Sequence, residues 1–270
     1  MSVTSDSTAK LISSKKWRIA LGWVVTPFFD LFFILILLVF HPFLVIARLL
    51  GYLPHKLLLD CMNFCLIQNF KVAGTFVSVN IEDYPPKGRP LIIVSNHQSM
   101  YDIPVIMWVL RDWHPKFIAK KELGRWLPSI SFSLRHMGSV LIDRKDPKQA
   151  IPAIEDFGRQ IEKNCWAACI FPEGTRARDG QMKKFKSSGI KTLLKTIPSA
   201  YITPVVIEGS WEMLRYKLFP IPFGCRFEMH VLKGFDNHEL NPENAAEKLE
   251  NIIRTKLEEI RESRRQHQQQ

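Results

Sequence analysis

An apolar run over residues 19–50 limits the folds open to this chain. Ten consecutive apolar residues, LFFILILLVF, lie at its centre, and only three side chains of the run are ionisable. The run is too long and too apolar for an ordinary surface helix, and it roughly supplies the ~20 apolar residues that a membrane-spanning helix needs. A signal peptide has a shorter apolar region, and no convincing cleavage site follows here. We therefore expect residues 1–70 to form a membrane-associated helical segment.

Basic residues flank this apolar segment on both sides. They are Lys10, Lys15, Lys16 and Arg18 before it, and Arg48, Lys56 and Lys71 towards and beyond its end. Positive residues prefer the cytoplasmic side of a membrane, so basic flanks on both sides favour a bent hairpin in one leaflet. Pro27 and Pro42 interrupt the run, and residues 57–70 would be its returning amphipathic part. A single span stays open as the alternative, and both geometries leave the following domain on the cytoplasmic face of a membrane.

After residue 71 the pattern alternates between strands and helices. We predict strands at 72–81, 91–95, 139–143, 166–171, 201–208 and 226–232, and helices at 102–110, 146–163, 188–196 and from Asn241 onward. This alternation is typical of an α/β domain with a central mixed sheet flanked by helices. Because no linker interrupts the pattern, residues 71–262 are predicted to form one domain, followed by a loose tail at 263–270.

Charge and cysteine content restrict the partners. The formal net charge is +11, which indicates an anionic partner: a nucleic acid, an anionic membrane surface or a phosphorylated substrate. No nucleic-acid reader motif is present, so we expect no nucleic acid. The five cysteines are an odd number in apolar surroundings, which favours reduced thiols used as small core residues. Their two C-x3-C spacings do not match common zinc sites, and we expect no metal.

Polar clusters follow three of the predicted strands. NHQSMYD follows LIIVS, Arg144 closes SVLIDR, and PEGTR follows WAACIF. In open α/β sheets, ligands bind outside the carboxyl ends of the strands. The three strands would therefore deliver His97, Arg144 and residues 173–176 to one rim.

His97 and Asp102 suit a base and its orienting partner. If Asp102 opens a helix, the loop before it can fold back, so that the carboxylate accepts a hydrogen bond from one imidazole nitrogen. That contact fixes the tautomer and leaves the other nitrogen free to take a proton from a substrate hydroxyl. On spacing alone, a polar turn in which Asp102 caps the helix remains an equal alternative. Ser99 lies nearby but in no G-x-S-x-G elbow, which disfavours a serine hydrolase.

The FPEGTR cluster suits a phosphate. Arg176 offers a planar fork of donors, and Gly174 lets the backbone approach closely. Glu173 could hold a substrate hydroxyl or position Arg176, and Thr175 could bond the phosphate or cap a turn. Lys183, Lys184 and Lys186 add positive charge to the loop. A solvated basic loop is the plainer alternative, and the absence of GxxxxGK[ST] disfavours a P-loop nucleotide site.

Taken together, the motifs resemble those of the 1-acylglycerol-3-phosphate acyltransferase family. NHQSMYD resembles its NHxxxxD block, GSVLIDR (138–144) its second block, FPEGTR its third and ITPVVI (202–207) its fourth. All four occur in the family's order, and the resemblance covers roughly residues 70–235. NHxxxxD followed about 70 residues later by FPEGTR is a specific combination.

The resemblance implies a membrane enzyme of phospholipid synthesis. It would transfer a fatty acyl group from acyl-CoA or acyl carrier protein to lysophosphatidic acid, giving phosphatidic acid, without metal or cofactor. His97 would be the general base and Asp102 its orienting partner. The acceptor would be held by Arg144, Glu173, Gly174, Thr175, Arg176 and Lys186.

One block departs from the family pattern. Many members have a FKKGA-like run after the third block, whereas this chain has FKSSG at residues 185–189, with Lys186 kept and Ser187 in place of the next lysine. This change leaves the acceptor head group open, so acylation of another lysophospholipid or lipid hydroxyl is one alternative. A catalytically silent membrane lipid-binding protein of the same fold is an alternative of another class, and the intact His97, Asp102 and Glu173 argue against it.

Overall fold

The computed structural model describes residues 3–125 and 127–269. Its helices are α1 (Val3–Leu49), α2 (Tyr52–Asn69), α3 (Asp102–Val109), α4 (Ile130–His136), α5 (Pro147–Asn164), α6 (Ser187–Thr196) and α7 (Ala245–Gln269). Its strands are β1 (Phe76–Ile81), β2 (Leu91–Ser95), β3 (Pro115–Lys120), β4 (Val140–Ile142), β5 (Ala167–Ile170), β6 (Tyr201–Glu208), β7 (Arg226–Val231) and β8 (Phe235–Asp236).

All of these strands belong to one mixed sheet. The strand order is β1-β7-β6-β2-β5-β3-β4, and β8 pairs with β6. Strands β6, β2, β5, β3 and β4 run parallel, whereas β7 is antiparallel to β6 and parallel to β1. The predicted α/β fold with a central mixed sheet flanked by helices is confirmed.

The sheet is buried on both faces, which explains the continuous apolar runs of its central strands. Along β2, Ile92 and Val94 point to one face and pack with α5, α6 and α7. Leu91 and Ile93 point to the opposite face and pack with α1 and α3. Helices α1 and α2 also share a smaller apolar cluster with Met137.

Helix α1 continues through both of its prolines, although these were predicted to interrupt it. Its length and composition would allow residues Lys16–Leu49 to cross a membrane. Positions along one stripe of α1 are buried against the rest of the protein: Gly22, Thr26, Phe29, Leu37, Leu44 and Ala47. They recur every three, four, seven or eight residues, as one face of a helix requires. The other faces of α1 expose apolar side chains, among them Trp23, Phe28, Leu31, Phe32, Leu35 and Leu38.

Both ends of this apolar helix are anchored to the sheet domain. Near its start, Arg18 Nε donates to the carbonyl of Phe223 at 2.7 Å. Beyond its end, the ring of Tyr52 stacks on Trp166 with the centroids 5.1 Å apart. Since α2 then returns alongside α1, the chain forms a helical hairpin.

Several predicted boundaries change. Strand β3 was not predicted, because FIAKKELG is too short and too charged at its end to stand out. Helix α4 was also not predicted, and it has only seven residues. The C-terminal tail is helical to Gln269, so the predicted loose tail is wrong over 263–269. The helix is held there by Arg264, whose Nη2 lies 2.7 Å from Glu228 Oε1. The tail's last residue and the side chains of Lys10 and Lys15 lie outside the described part of the chain.

Candidate active site

The parallel strands bring the predicted clusters to one edge of the sheet. NHQSMYD follows β2, PEGTR follows β5 after Phe171, and Arg144 follows β4. Because β2 and β5 are neighbours and β4 lies two strands further along, all three clusters meet at the carboxyl edge. The edge also receives Lys120, the last residue of β3.

At this edge His97 is hydrogen-bonded to Asp102. Nδ1 of His97 lies 2.8 Å from Oδ2 of Asp102, and Asp102 is the first residue of α3. The same oxygen accepts the main-chain N–H groups of Gln98 at 2.8 Å and Ser99 at 2.9 Å. The loop therefore folds back onto the carboxylate, in the geometry predicted for a base and its partner rather than for a helix cap.

Other contacts hold His97 in place. Its main-chain N–H donates to Glu173 Oε1 at 2.7 Å, and its carbonyl accepts from the N–H of Ala177, also at 2.7 Å. Its ring stacks on Phe171, with the centroids 4.0 Å apart and the planes inclined by 14°. Within the described residues, no hydrogen bond engages Nε2. In the neutral imidazole, this arrangement leaves Nε2 as the nitrogen that can accept a proton.

Glu173 joins the two principal loops of the site. One carboxylate oxygen accepts from His97, and the other accepts from the main-chain N–H of Lys183 at 2.9 Å. Burial raises the pKa of Glu173 to about 7, although these two hydrogen bonds act in the opposite direction. Both oxygens are thus engaged by backbone, and no ion pair links Glu173 with Arg176 among the described residues. Its predicted contact with the acceptor stays a prediction.

Basic side chains lie around the FPEGTR loop. Arg144 donates through Nη1 to the carbonyl of Gly174, which ties β4 to the FPEGTR loop. Gly174 adopts φ 71°, and a β-carbon there would lie 3.2 Å from the ammonium nitrogen of Lys186. Burial lowers the pKa values of the Arg144 and Arg176 guanidinium groups. Thr175 is exposed beside them. The arrangement forms a half-buried cationic rim, which suits an anionic ligand.

The structure adds residues that the sequence reasoning did not assign. The side chain of Asn96 exchanges hydrogen bonds of 2.7 and 2.8 Å with the main chain of Ile207 in β6. Ser210 Oγ donates to Asp102 Oδ1 at 2.5 Å. These partners are more than 100 residues apart in the chain, so no local pattern could reveal them. If β3 had been predicted as a strand, its last residue, Lys120, would have been placed at the same edge of the sheet.

Comparison with known proteins assigns a class to this fold and site. Residues 76–208, which contain both NHQSMYD and FPEGTR, match the family model of the acyltransferase domain. This segment is therefore similar to the acyltransferase domain, and the class of protein that it indicates is an O-acyltransferase. All five of its cysteines are free thiols.

The predicted resemblance to 1-acylglycerol-3-phosphate acyltransferases is also confirmed. A 1-acyl-sn-glycerol-3-phosphate acyltransferase of Cocos nucifera is 34% identical over 156 residues, which cover 55% of this chain and 48% of that enzyme. The 1-acyl-sn-glycerol-3-phosphate acyltransferase alpha of Mus musculus is 28% identical over 190 residues, covering 70% of this chain and 65% of that enzyme. The chain thus matches about half to two thirds of the length of these curated relatives.

The fold has a solved counterpart. The crystal structure of the 1-acyl-sn-glycerophosphate (LPA) acyltransferase PlsC from Thermotoga maritima superposes with a TM-score of 0.67 at 21% sequence identity. The match covers 92% of this chain and 98% of that one. At this identity the likeness concerns the fold alone.

Proposed function

We propose that this protein is a membrane-associated acyltransferase that moves a fatty acyl group from an acyl-CoA or acyl-ACP thioester to the free hydroxyl of lysophosphatidic acid. The product would be phosphatidic acid, as the names of the curated relatives suggest. The observation that carries the proposal is the 2.8 Å contact between His97 Nδ1 and Asp102, which leaves Nε2 free to accept a proton.

In this mechanism His97 acts as the general base. Nε2 takes the proton of the acceptor hydroxyl as its oxygen attacks the thioester carbonyl carbon. The carbon–sulfur bond then breaks, and the thiolate that leaves takes the proton from the imidazolium. Asp102 stabilises the imidazolium that forms between these steps, because its buried carboxylate remains bonded to Nδ1.

The cationic rim would hold the phosphate of the acceptor. Arg144, Arg176 and Lys186 would supply the charge, since a phosphate favours planar guanidinium donors and ammonium groups. Gly174 leaves room for a close approach of phosphate to backbone, and Thr175 offers a hydroxyl at the same place. Glu173 would act on the acceptor mainly by holding the two loops that carry these groups.

Membrane association is supported by helix α1. Its docked stripe extends from Gly22 to Ala47, which corresponds to about 38 Å of helix, whereas the hydrocarbon core of a bilayer is ~30 Å thick. A helix docked on its own domain over that length cannot also stand alone across the bilayer. The exposed apolar faces therefore favour a hairpin embedded in one leaflet, with the domain on the cytoplasmic face.

The proposed reaction uses neither metal nor cofactor, since the imidazole and the thioester together supply the base and the leaving group. The assay should therefore proceed at an unchanged rate in EDTA. Loss of activity that Mg²⁺ or Zn²⁺ restores would refute this part of the proposal.

Acyl transfer in detergent tests the proposal. Purified protein, long-chain acyl-CoA or acyl-ACP, and lysophosphatidate should release the thiol and form phosphatidate. His97→Ala should lose at least ~10²-fold in rate, the contribution of a general base. His238→Ala, which removes an exposed histidine, should keep the wild-type rate. A fully active His97→Ala variant would refute the mechanism.

The same assay separates the alternatives. Serine residues begin helix α6 directly after Lys186, which keeps a different acceptor open. A panel of lysophosphatidylcholine, lysophosphatidylethanolamine and monoacylglycerol should react more slowly than lysophosphatidate. A faster rate with one of them would change the acceptor but not the chemistry. Binding of lysolipid with no thioester consumption would indicate a silent lipid-binding protein.

A further inference from the structure

The side chain of Gln98, the residue next to the proposed base His97, is hydrogen-bonded to a single residue of β6. Its main-chain N–H bonds to Asp102, and its side-chain Nε2 donates to Glu208 Oε2 at 3.0 Å. The Gln98 side chain is fully buried, and its Oε1 has no partner among the described residues. The Glu208 contact is therefore what fixes its orientation.

Glu208 is itself held by the C-terminal helix. Arg261 Nη2 lies 2.8 Å from Glu208 Oε2, and Arg264 Nη1 lies 3.7 Å from Oε1. The Glu208 side chain is only 7% exposed, so its charge requires such partners. Arg261 Nη2 also donates to the carbonyl of Gly180 at 2.5 Å, in the loop that follows FPEGTR.

The turn after Glu208 reaches the other end of the NHQSMYD loop. Two residues later, Ser210 Oγ donates to Asp102 Oδ1. Gly209 between them adopts φ 88°, and a side chain there would collide with the carbonyl of Arg226. The segment 208–210 is thus a fixed turn that contacts both Gln98 and Asp102.

We propose that Glu208, held by Arg261 and Arg264 of helix α7, is a positioning residue for the His97–Asp102 pair. It fixes Gln98, and the Gln98 N–H in turn fixes the carboxylate that orients the imidazole. The C-terminal helix thereby acts on the base without touching substrate. This inference rests on the proposed role of His97.

A double-mutant cycle tests the connection. Gln98→Met removes the side-chain N–H donor but keeps the length of the side chain and the main-chain N–H. Glu208→Gln removes the negative charge of the carboxylate that accepts this hydrogen bond. Each should lower kcat about tenfold, the value of one charge-assisted hydrogen bond, with KM for lysophosphatidate within about twofold of wild type. If Glu208 acts through Gln98, the double variant should lose no more than either single variant.

Two controls separate positioning from folding. Glu212→Gln removes a carboxylate of the next turn that faces Arg18 instead, and it should leave kcat within about twofold of wild type. If Glu208→Gln fails to fold because Arg261 loses its carboxylate partner, Gln98→Met still decides, since it leaves the ion pairs intact. A wild-type kcat for Gln98→Met, or losses that add in the double variant, would overturn the inference.

A spectroscopic measurement needs no substrate. The ¹H resonance of the His97 Nδ1–H, assigned by its loss in His97→Gln, reports the hydrogen bond to Asp102 directly. Gln98→Met and Glu208→Gln should shift it alike, and Glu212→Gln should not. If the protein shows these shifts but is inactive towards lysophosphatidate, the proposed function is refuted and the positioning role is retained. Unchanged resonances would refute the positioning role.

Discussion

Asp102 is surrounded by donors. One oxygen accepts from His97 and the main-chain N–H groups of Gln98 and Ser99, and the other accepts from the hydroxyls of Ser99 and Ser210. The carboxylate is fully buried. Donors on all sides offset the desolvation of its charge and hold it in the one orientation that meets the imidazole.

Asp102→Asn should therefore remove the negative charge of this side chain while keeping its hydrogen bonds. The amide NH₂ can replace the oxygen that faces the two hydroxyls, because hydroxyls can turn to accept. The remaining oxygen would still accept from His97. We expect acyl transfer to fall by at least ~10²-fold, since the imidazolium loses its counter-charge, with little change in the unfolding midpoint.

Asp112→Asn provides the control, because it removes an exposed carboxylate that pairs with Lys87 at 3.2 Å. It should be fully active. An Asp102→Asn variant of wild-type activity would show that the charge of the partner is dispensable.

Glu173 should make the folded state less stable as the pH rises. Its carboxyl has an ordinary pKa of 4.5 in the unfolded chain and about 7 in the fold. Between these values the folded state binds more protons, so the free energy of unfolding decreases as the pH increases, by up to about 3 kcal/mol. Denaturant titrations at pH 5 and pH 8 should show this loss in the wild type and not in Glu173→Gln. Equal pH dependence in both proteins would contradict the prediction.

At the scale of residues, the sequence allowed the site to be predicted only where partners lie close together in the chain. His97 and Asp102 are five residues apart, so the turn between a strand and a helix allowed their pairing, and the family resemblance favoured it over a polar turn. Asn96, Glu208 and Ser210 owe their contacts to the pairing of β2 with β6. That register is a tertiary property, which no local periodicity contains.

Among the elements, helix α1 depends on close contact with the segment before β7. Gly22 faces the carbonyl of Ile221 so closely that a β-carbon would collide with it. The Ile221 N–H also donates to Thr26 Oγ1 at 2.9 Å, one helical turn further on. Glycine at this position lets the helix lie directly on the domain.

Gly22→Ala should therefore destabilise the protein, although alanine has the higher helix propensity. In an unconstrained helix the change stabilises by about 1 kcal/mol, whereas here overpacking should destabilise by about 1–3 kcal/mol. Thermal unfolding in detergent measures the sign. Val24→Ala, on the exposed face of the same helix, is the matched control and should cause a smaller change. A stabilised Gly22→Ala variant would mean that α1 does not pack as described.

The elements that could be predicted were those with a strong pattern. Strands β2, β5 and β6 are continuous apolar runs, and all three were predicted within one residue of their bounds. Helix α1 was harder, because proline usually breaks a helix. Its packing along the domain and its apolar surroundings outweigh the lost hydrogen bonds at Pro27 and Pro42.

For the whole molecule, the proposed embedding of the hairpin in one leaflet predicts a topology. In sealed vesicles, an N-terminal tag and the catalytic domain should lie on the same side, so external protease should remove both or neither. A single span would place them on opposite sides. Detergent-solubilised vesicles serve as the control for protease access. Protection of the tag in vesicles whose domain is digested would refute the hairpin.

Helices from both ends of the described chain meet at one cavity beside the sheet. Arg18 of the first helix and Arg264 of the last line the same cavity of about 340 Å³, beside the turn that carries Ser210. During synthesis the apolar helix therefore leaves the ribosome long before the residues that neutralise Glu208. If the proposed membrane association and the positioning role of Glu208 hold, a nascent chain would reach the membrane first and would orient its imidazole only after the last helix has docked.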